Sequence, residues 1–159
     1  MRVGQGFDAH RFCKGDFVTL GGVQIPFQFG LEAHSDGDVL LHAICDALLG
    51  AACLGDIGRH FPDSALEYKG ISSLELLMRV GVLVGKKGYS THNVDATVLG
   101  ERPKIATYSS EMRAKIAEEL KILPDQVNIK ASTTEKMGFT GRGEGLAAMA
   151  VCTIIEQDA

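Results

Sequence analysis

Apolar residues recur along this chain in short runs whose spacing changes from strand-like to helix-like. Residues 1–8 predict a first strand, in which apolar side chains are punctuated by glycines. The apolar runs 17–20 and 23–25 flank Gly21 and Gly22, and a glycine pair between two such runs predicts a β-hairpin. The chain is therefore expected to begin with β structure.

Helical spacing follows in three segments. Residues 39–49 predict a helix with one apolar face, formed by Leu40, Ala43, Ile44, Ala47 and Leu48. A capping-box pattern from Ser72 to Glu75 predicts the start of a second helix, which reaches about Lys87. Pro103 suits the N-terminus of a third helix, which runs through Met112, Ile116 and Leu120 and is closed by Pro124.

Two further strands are predicted at 94–99 and 127–131. The small apolar run 146–155 also fits a helix, but its alternating β-branched residues favour a strand. Polar or glycine-rich stretches predict loops at 30–37, 55–63 and 138–145. These elements predict an α+β fold in a single domain over 1–159, with a mixed β-sheet, an early hairpin and helices packed on one face.

Composition narrows the possible functions. Hydrophobic residues make up 45% of the chain, which is enough for a packed core. A net charge of -4, the absence of Trp and an aromatic content of 6% argue against a nucleic-acid partner. The four cysteines form no C-x-x-C pair, which fits a reducing compartment. No apolar run approaches the ~20 residues of a membrane span, so we expect a cytoplasmic protein without a membrane partner.

The first candidate site is the pair Asp8 and His10, read together with His42. Residues two apart in a strand point to the same side, and His42 on the following helix can supply a third ligand. Three protein ligands with one open position are typical of catalytic zinc. His34 and Asp38 flank the start of the same helix and can orient these ligands or touch a substrate. So short a pattern also fits an ordinary strand-end Asp and a surface His.

The second candidate site follows the strand predicted at 127–131. Hydroxyl and amide groups of residues 132–136 can bind phosphate, and Glu135 can hold a hard cation such as Mg²⁺, although a solvated turn fits equally well. Arg142 stands between glycines, where it can pair with an anion. The sequence has no recognisable pattern for a nucleophilic side chain. This favours a reaction such as phosphoryl transfer, in which the nucleophile is part of the substrate.

Blocks along nearly the whole chain resemble the 2-C-methyl-D-erythritol 2,4-cyclodiphosphate synthase family of the non-mevalonate isoprenoid pathway. They lie in order at 6–10, 33–38 with His42, 46–51, 54–58, 61–63, 93–95, 103–104 and 133–145. The resemblance implies a metal-dependent lyase. In the implied reaction the 2-phosphate of 4-diphosphocytidyl-2-C-methyl-D-erythritol 2-phosphate attacks its own β-phosphorus. CMP leaves, and a cyclic diphosphate forms.

The resemblance also implies roles for individual residues. Asp8, His10 and His42 would bind Zn²⁺, Glu135 would bind Mg²⁺ or Mn²⁺, and His34 and Thr133 would stabilise the transition state. The methylerythritol phosphate would contact Asp56, Ile57, Gly58, Phe61, Pro62, Asp63, Ser64 and Ala65. The cytidine diphosphate would contact Gly100, Glu101, Arg102, Pro103, Lys104, Ile105, Ala106 and Ser132. Further substrate contacts would come from Asp8, Ala9, His10, His34, Ser35, Thr133, Thr134, Glu135, Phe139 and Arg142.

The implied assembly is a homotrimer with active sites between neighbouring subunits and a central channel. Phe7, Arg142 and Glu144 match positions near a channel end that can hold an isoprenoid diphosphate. Two other functions remain open on the sequence. One is a zinc-dependent phosphohydrolase of a nucleoside diphosphate ester, in which water is the nucleophile. The other is a non-catalytic trimer that binds a nucleotide or an isoprenoid.

Overall fold

The structure, a computed structural model, describes residues 1–62, 68 and 70–157. Its strands are β1 (Arg2–Lys14), β2 (Phe17–Leu20), β3 (Val23–Pro26), β4 (Phe29–Leu31), β5 (Tyr89–Leu99), β6 (Val127–Ser132) and β7 (Gly145–Glu156). Within these residues, β4-β1-β7-β5-β6 form a five-stranded sheet, and β2 and β3 form a separate hairpin. β5 and β6 run parallel, whereas the other neighbouring pairs are antiparallel. The sheet is therefore mixed, as predicted.

The helices are α1 (Val39–Ala51), α2 (Ile57–His60), α3 (Ser73–Lys86), α4 (Ser109–Leu120) and α5 (Gly138–Gly141). The longer helices cover one face of the sheet. Along β7, Ala148, Ala150 and Cys152 are buried against them, while Met149 and Val151 on the opposite face are each 44% exposed. This alternation is typical of a sheet with helices on one face, and it confirms that part of the prediction.

Two glycines of β1 allow α1 to lie directly on the strand. A Cβ atom on Gly6 would sit 1.9 Å from the carbonyl oxygen of Ala43, and one on Gly4 would sit 2.0 Å from that of Ala47. Gly4, Gly6, Asp8 and His10 all point to the same side of β1, because side chains alternate along a strand. The close approach therefore brings α1 over the side of β1 that carries the candidate ligands.

Several local predictions are confirmed. The hairpin turns at Gly21 and Gly22, with φ values of +58° and +74°, and glycine adopts such values without steric cost. The run 146–155 lies within β7, and 39–49 lies within α1. α1 is buried on almost all sides rather than on one face, because it packs between the sheet and α3.

Three loop predictions are partly wrong. Gly30 and Leu31 belong to β4, which pairs with the end of β1. The stretches 55–63 and 138–145 contain the short helices α2 and α5. Glycine content marked these segments as irregular, but a single helical turn between glycines leaves too short a pattern to detect.

The third predicted helix is present as α4, with Met112, Ile116 and Leu120 buried, but its predicted start at Pro103 is wrong because α4 begins at Ser109. Backbone and side-chain contacts hold the preceding segment as a loop. The N–H of Gly100 donates to the carbonyl of Ser132, and the carboxylate of Glu101 accepts from the N–H of Lys136.

In the described part of the chain, no helix is both long and apolar enough to cross a bilayer.

Candidate metal centre

Asp8, His10 and His42 converge where β1 passes beneath the first turns of α1. Asp8 Oδ2 lies 2.8 Å from His10 Nε2 and 3.0 Å from His42 Nδ1, and these two nitrogens lie 3.2 Å apart. The structure thus unites the three ligands that the sequence pattern pointed to. In the described residues, this is the one group of three such side chains with ligand atoms within 4.8 Å of one another.

The three atoms fit a small metal ion. Ligand atoms bound tetrahedrally to Zn²⁺ at ~2.0–2.1 Å are separated by about 3.3 Å, slightly more than the distances observed here. One carboxylate and two imidazoles are ligand types that zinc accepts. Three ligands from the chain leave one coordination position for a substrate or a water. The arrangement therefore suits catalysis better than a closed structural site.

The backbone orients the ring of His10. Its Nδ1 lies 2.8 Å from the carbonyl oxygen of Glu32, and a carbonyl can only accept, so Nδ1 carries the hydrogen. The lone pair of Nε2 then faces Asp8 and His42, where a metal would bind. Hydrogen bonding of the second imidazole nitrogen is the usual way in which proteins fix such a ligand.

Contacts among the three side chains shift the pKa values of Asp8 and His10. Burial would raise the pKa of Asp8, but hydrogen bonds and charge interactions with His10 and His42 outweigh burial and lower it. Burial would lower the pKa of His10, but the hydrogen bond and charge of Asp8 raise it overall. Asp8 therefore favours its ionised form, whereas the raised pKa of His10 means that a metal competes with protonation of its Nε2.

A cavity of about 810 Å³ opens beside these ligands. Of the residues predicted to touch substrate, it is lined by Asp8, Ala9, His10, His34, Ser35, Ile57, Gly58 and Phe61. Asp56 lies next to the cavity but caps α2, since its carboxylate accepts from the N–H of Arg59. Pro62 is exposed beside Phe61 and is not part of the lining. Asp63, Ser64 and Ala65 lie outside the described residues.

The remaining predicted site residues form a second group at the same end of the sheet. Ala9 pairs with Ala147, Ala147 with Leu99, and Leu99 with Ser132. Three strand spacings therefore separate Ala9 from Ser132, a distance of roughly 14 Å. Among the residues that the structure describes, none of 100–106, 132–135, Phe139 or Arg142 lines the cavity. One chain does not bring the two groups together.

The second group is held tightly by its own contacts. Glu135 and Lys136 both adopt positive φ, at 52° and 63°, which is unusual for residues with side chains and often marks functional turns. Thr133 Oγ1 donates to Glu135 Oε1 at 3.2 Å. Arg142 pairs with Glu144 at 2.6 Å on the exposed side of the loop. Ser132 and Glu135 are exposed and Thr133 is half-buried, so the polar groups of this turn can meet a ligand.

Some residues around the metal centre had no predicted role. The cavity is also lined by Arg11, Glu32, Ala33, Asp46, Tyr68, Ile71 and Leu76. Asp46 lies one turn after His42 on α1, and its carboxylate accepts from the N–H of Ile57 at 2.8 Å. Burial raises the pKa of Asp46, although the Ile57 hydrogen bond opposes this. The four-residue spacing from His42 was visible in the sequence and would have placed Asp46 on the same helix face.

Asp38 begins the helix that carries His42, as its position in the sequence predicts, and so it can orient this ligand, one of the two roles expected of it. It is fully buried and accepts hydrogen bonds from the N–H groups of Gly21, Gly22 and Leu41. Burial raises its pKa to about 6, and the N–H donors of Gly22 and Leu41 oppose the rise. Its carboxylate caps α1 and ties the helix to the hairpin, and in this way it fixes the helix that carries His42.

Known proteins resemble this chain over nearly its full length. Residues 1–155 match the YgbB family. The chain is 61% identical over 155 residues to 2-C-methyl-D-erythritol 2,4-cyclodiphosphate synthase from Azotobacter vinelandii, which covers 98% of this chain and 99% of that protein.

Solved structures of related proteins also match nearly the whole of this chain. The bifunctional IspDF from Campylobacter jejuni is similar with a TM-score of 0.95 and 42% identity; the match covers 99% of this chain and 42% of that one. This chain thus spans less than half of the bifunctional protein. The CDP complex of IspF from Plasmodium falciparum is similar with a TM-score of 0.86 and 34% identity, covering 99% of this chain and 97% of that one.

Proposed function

This chain belongs to the YgbB family of 2-C-methyl-D-erythritol 2,4-cyclodiphosphate synthases, which are lyases, and from this premise we propose the reaction that it catalyses. The substrate is 4-diphosphocytidyl-2-C-methyl-D-erythritol 2-phosphate. An oxygen of its 2-phosphate forms a bond to the β-phosphorus, and the bond from that phosphorus to the bridging oxygen breaks. CMP leaves with the electron pair, and the cyclic diphosphate remains. The observation that carries the proposal is the three-ligand centre of Asp8, His10 and His42 beside a substrate-sized cavity.

The residues of the chain then have distinct tasks. Asp8, His10 and His42 would hold Zn²⁺, and Glu135 would hold Mg²⁺ or Mn²⁺. When bound, these ions polarise the β-phosphate and neutralise the charge of the diphosphate. His34 and Ser35 line the cavity next to the metal centre, where their side chains can donate hydrogen bonds to the reacting phosphates. The methylerythritol part of the substrate would be enclosed by Ile57, Gly58 and Phe61. This contact would keep the carbon chain of the substrate folded for ring closure.

We further propose that each active site is completed by a neighbouring subunit of a homotrimer. The cytidine diphosphate would lie against 100–106 and 132–135 of the neighbour, with Thr133, Phe139 and Arg142 completing the site. The separation of these residues from the cavity within one chain supports this arrangement. The CDP bound in the related Plasmodium falciparum structure supports the ligand class.

The sheet face without helices supplies a surface for the trimer. It exposes Val3, Phe7, Met149 and Val151, and Phe7 pairs directly with Met149 across β1 and β7. Exposed apolar residues grouped on one face are typical of a subunit interface. We propose that these faces surround the central channel and that an isoprenoid diphosphate binds near Phe7, Arg142 and Glu144.

The product decides between this reaction and hydrolysis. Enzyme, substrate, Zn²⁺ and Mg²⁺ are incubated and followed by phosphorus NMR. We expect CMP and a cyclic diphosphate in equal amounts, loss of both in His42→Ala, and normal turnover in His92→Ala, a matched change at an exposed histidine outside the cavity. CMP with a linear phosphate product would favour the phosphohydrolase. Tight CDP binding without turnover would favour the non-catalytic protein.

A mixing experiment tests the shared site. His42→Ala and Glu135→Ala are each expected to be inactive. If sites lie between subunits, a mixed trimer contains interfaces with an intact His42 on one side and an intact Glu135 on the other. Co-refolded mixtures should then regain activity. Mixed trimers without activity would contradict a site shared between subunits.

A further inference from the structure

The ring of His42 is held from the side opposite the metal centre. We propose that Ser73 and Asp36 are positioning residues that fix His42 with Nε2 protonated and Nδ1 free to bind the metal. This inference rests on the proposed metal-dependent function, and it adds two residues for which no such role was predicted. Neither residue lines the cavity beside the metal centre, so both act through His42.

Both carboxylate oxygens of Asp36 accept hydrogen bonds from Ser73, the first residue of α3. Oδ2 accepts from the N–H of Ser73 at 2.9 Å, and Oδ1 accepts from Ser73 Oγ at 2.5 Å. Ser72, by contrast, makes no side-chain cap hydrogen bond, although the sequence predicted a capping box there. The N-terminus of α3 is therefore capped by the loop that precedes α1, 37 residues earlier in the chain.

The direction of the hydrogen bonds follows from the chemistry of each group. An ionised carboxylate can only accept, so the hydroxyl hydrogen of Ser73 points to Asp36. The lone pairs of the same oxygen remain, and His42 Nε2 lies 3.0 Å from it. Ser73 therefore accepts a hydrogen bond from Nε2–H. A neutral imidazole has one N–H, so the lone pair of His42 is left on Nδ1, 3.0 Å from Asp8 Oδ2.

The two histidines of the centre are thus held in complementary ways. His10 donates from Nδ1 to the carbonyl of Glu32 and presents Nε2 to the metal. His42 donates from Nε2 to Ser73 and presents Nδ1. In each case a fixed acceptor sets which ring nitrogen is free, and this raises metal affinity because the ring needs no reorientation.

Ser73 suits this task better than the other nearby hydroxyl. Ser35 Oγ also lies within reach of His42 Nε2, at 3.2 Å. Ser35 lines the cavity and is partly exposed, whereas Ser73 is fully buried with its hydrogen committed to Asp36. We therefore assign the permanent contact to Ser73 and leave the Ser35 hydroxyl to the substrate.

The test measures zinc binding to the full-length, metal-free protein by competition with a fluorescent chelator. Loss of the partner of a metal-bound histidine typically weakens metal binding by about 10- to 100-fold, and we expect this for Ser73→Ala. Ser72→Ala is the matched control, because it removes a neighbouring hydroxyl without a hydrogen bond to the centre, and it should change affinity less than twofold. Ser73→Thr keeps the hydroxyl and should restore most of the affinity.

Asp36→Asn tests the same chain of contacts without replacing a residue of α3. Its amide oxygen can still accept from the N–H of Ser73, but its NH₂ would donate to Ser73 Oγ and turn the hydroxyl hydrogen towards His42. We expect zinc binding to weaken by at least 10-fold. With Co²⁺ in the site, the visible absorption bands of Ser73→Ala and Asp36→Asn should shift, while those of Ser72→Ala should not.

Each result bears on the inference. Unchanged zinc affinity and Co²⁺ spectra in folded Ser73→Ala and Asp36→Asn would overturn it, as would equal weakening in Ser72→Ala and Ser73→Ala. If Ser73→Ala does not fold, Asp36→Asn carries the same decision. The proposed reaction is judged separately, because a wild-type protein that binds zinc through this arrangement but forms no cyclic product would refute the reaction alone.

Discussion

A single methyl group on β1 should separate the metal ligands. In Gly6→Ala, the new Cβ would lie 1.9 Å from the carbonyl oxygen of Ala43 and 2.8 Å from the N–H nitrogen of Ala47. Both atoms belong to the backbone of α1, so no side chain can turn away. An ordinary contact between such atoms begins at 3.4 Å, so strand and helix must move apart by roughly 1.5 Å.

This displacement has two expected consequences. Overpacking of a closely packed site costs about 1–3 kcal/mol, and we expect the upper end because both clashing atoms are backbone. The second consequence concerns the site, because His42 directly precedes Ala43 on α1 while Asp8 and His10 are on β1. A shift of this size exceeds the tolerance of a metal site, which is about 0.2 Å in ligand distance. Zinc binding should weaken at least 100-fold.

Urea unfolding with a chelator measures the first effect, and chelator competition measures the second. Gly50→Ala is the control, because it adds the same methyl group to α1 where the nearest atom is 3.9 Å away. That change should stabilise the protein by about 0.5–1 kcal/mol, since Ala is favoured over Gly in helices. A Gly6→Ala protein within 0.5 kcal/mol of wild type that binds zinc normally would refute the reasoning.

Asp38, Asp46 and the pair Asp8 and His10 each make contacts whose loss should have a measurable effect. Asp38→Ala removes the acceptor of three backbone N–H groups and should cost about 3 kcal/mol in urea unfolding, from loss of the α1 cap and from buried unpaired donors; a cost below 1 kcal/mol would contradict this. Asp46→Ala frees the N–H of Ile57 and should raise KM several-fold with little change in zinc content, whereas loss of zinc would assign Asp46 to the metal site. The lowered pKa of Asp8 stabilises the metal-free protein fully above its unfolded value of about 4, and this stabilisation is lost as the pH falls from there through the lowered pKa. The raised pKa of His10 stabilises the metal-free protein below its unfolded value of about 6.5, and this stabilisation is lost as the pH rises through the raised pKa. Unfolding with a chelator should therefore show this contribution between about pH 4 and 6.5, and Asp8→Asn should remove it; an equal pH profile in both proteins would contradict the assignment.

The site was predictable from the sequence as far as it depends on local spacing. The period of two along a strand places Asp8 and His10 on one side, and the helical pattern at 39–49 places His42 near the start of a helix. The distance between them depends on the approach of α1 to β1 at Gly4 and Gly6, and the sequence shows the glycines but not what packs on them.

Long-range contacts overrode the local rules elsewhere. The Ser72 pattern predicted a side-chain cap, yet Asp36 caps α3 from a distant loop, because a fixed carboxylate with two oxygens satisfies both Ser73 groups. The helix expected to begin at Pro103 begins only at Ser109. Hydrogen bonds to Ser132 and Lys136 hold the start of the preceding segment as a loop. Such contacts join residues more than 30 positions apart, which no local pattern encodes.

A stoichiometric zinc titration tests the central claim most directly. Metal-free protein in Mg²⁺ buffer receives increasing Zn²⁺ with the diphosphocytidyl substrate present, and phosphorus NMR follows the products. The cyclic diphosphate should form in proportion to added zinc, level off at one zinc per chain, and be absent at every zinc concentration in His42→Ala. Full cyclisation by the metal-free protein, or a linear phosphate product that rises with zinc, would contradict the account.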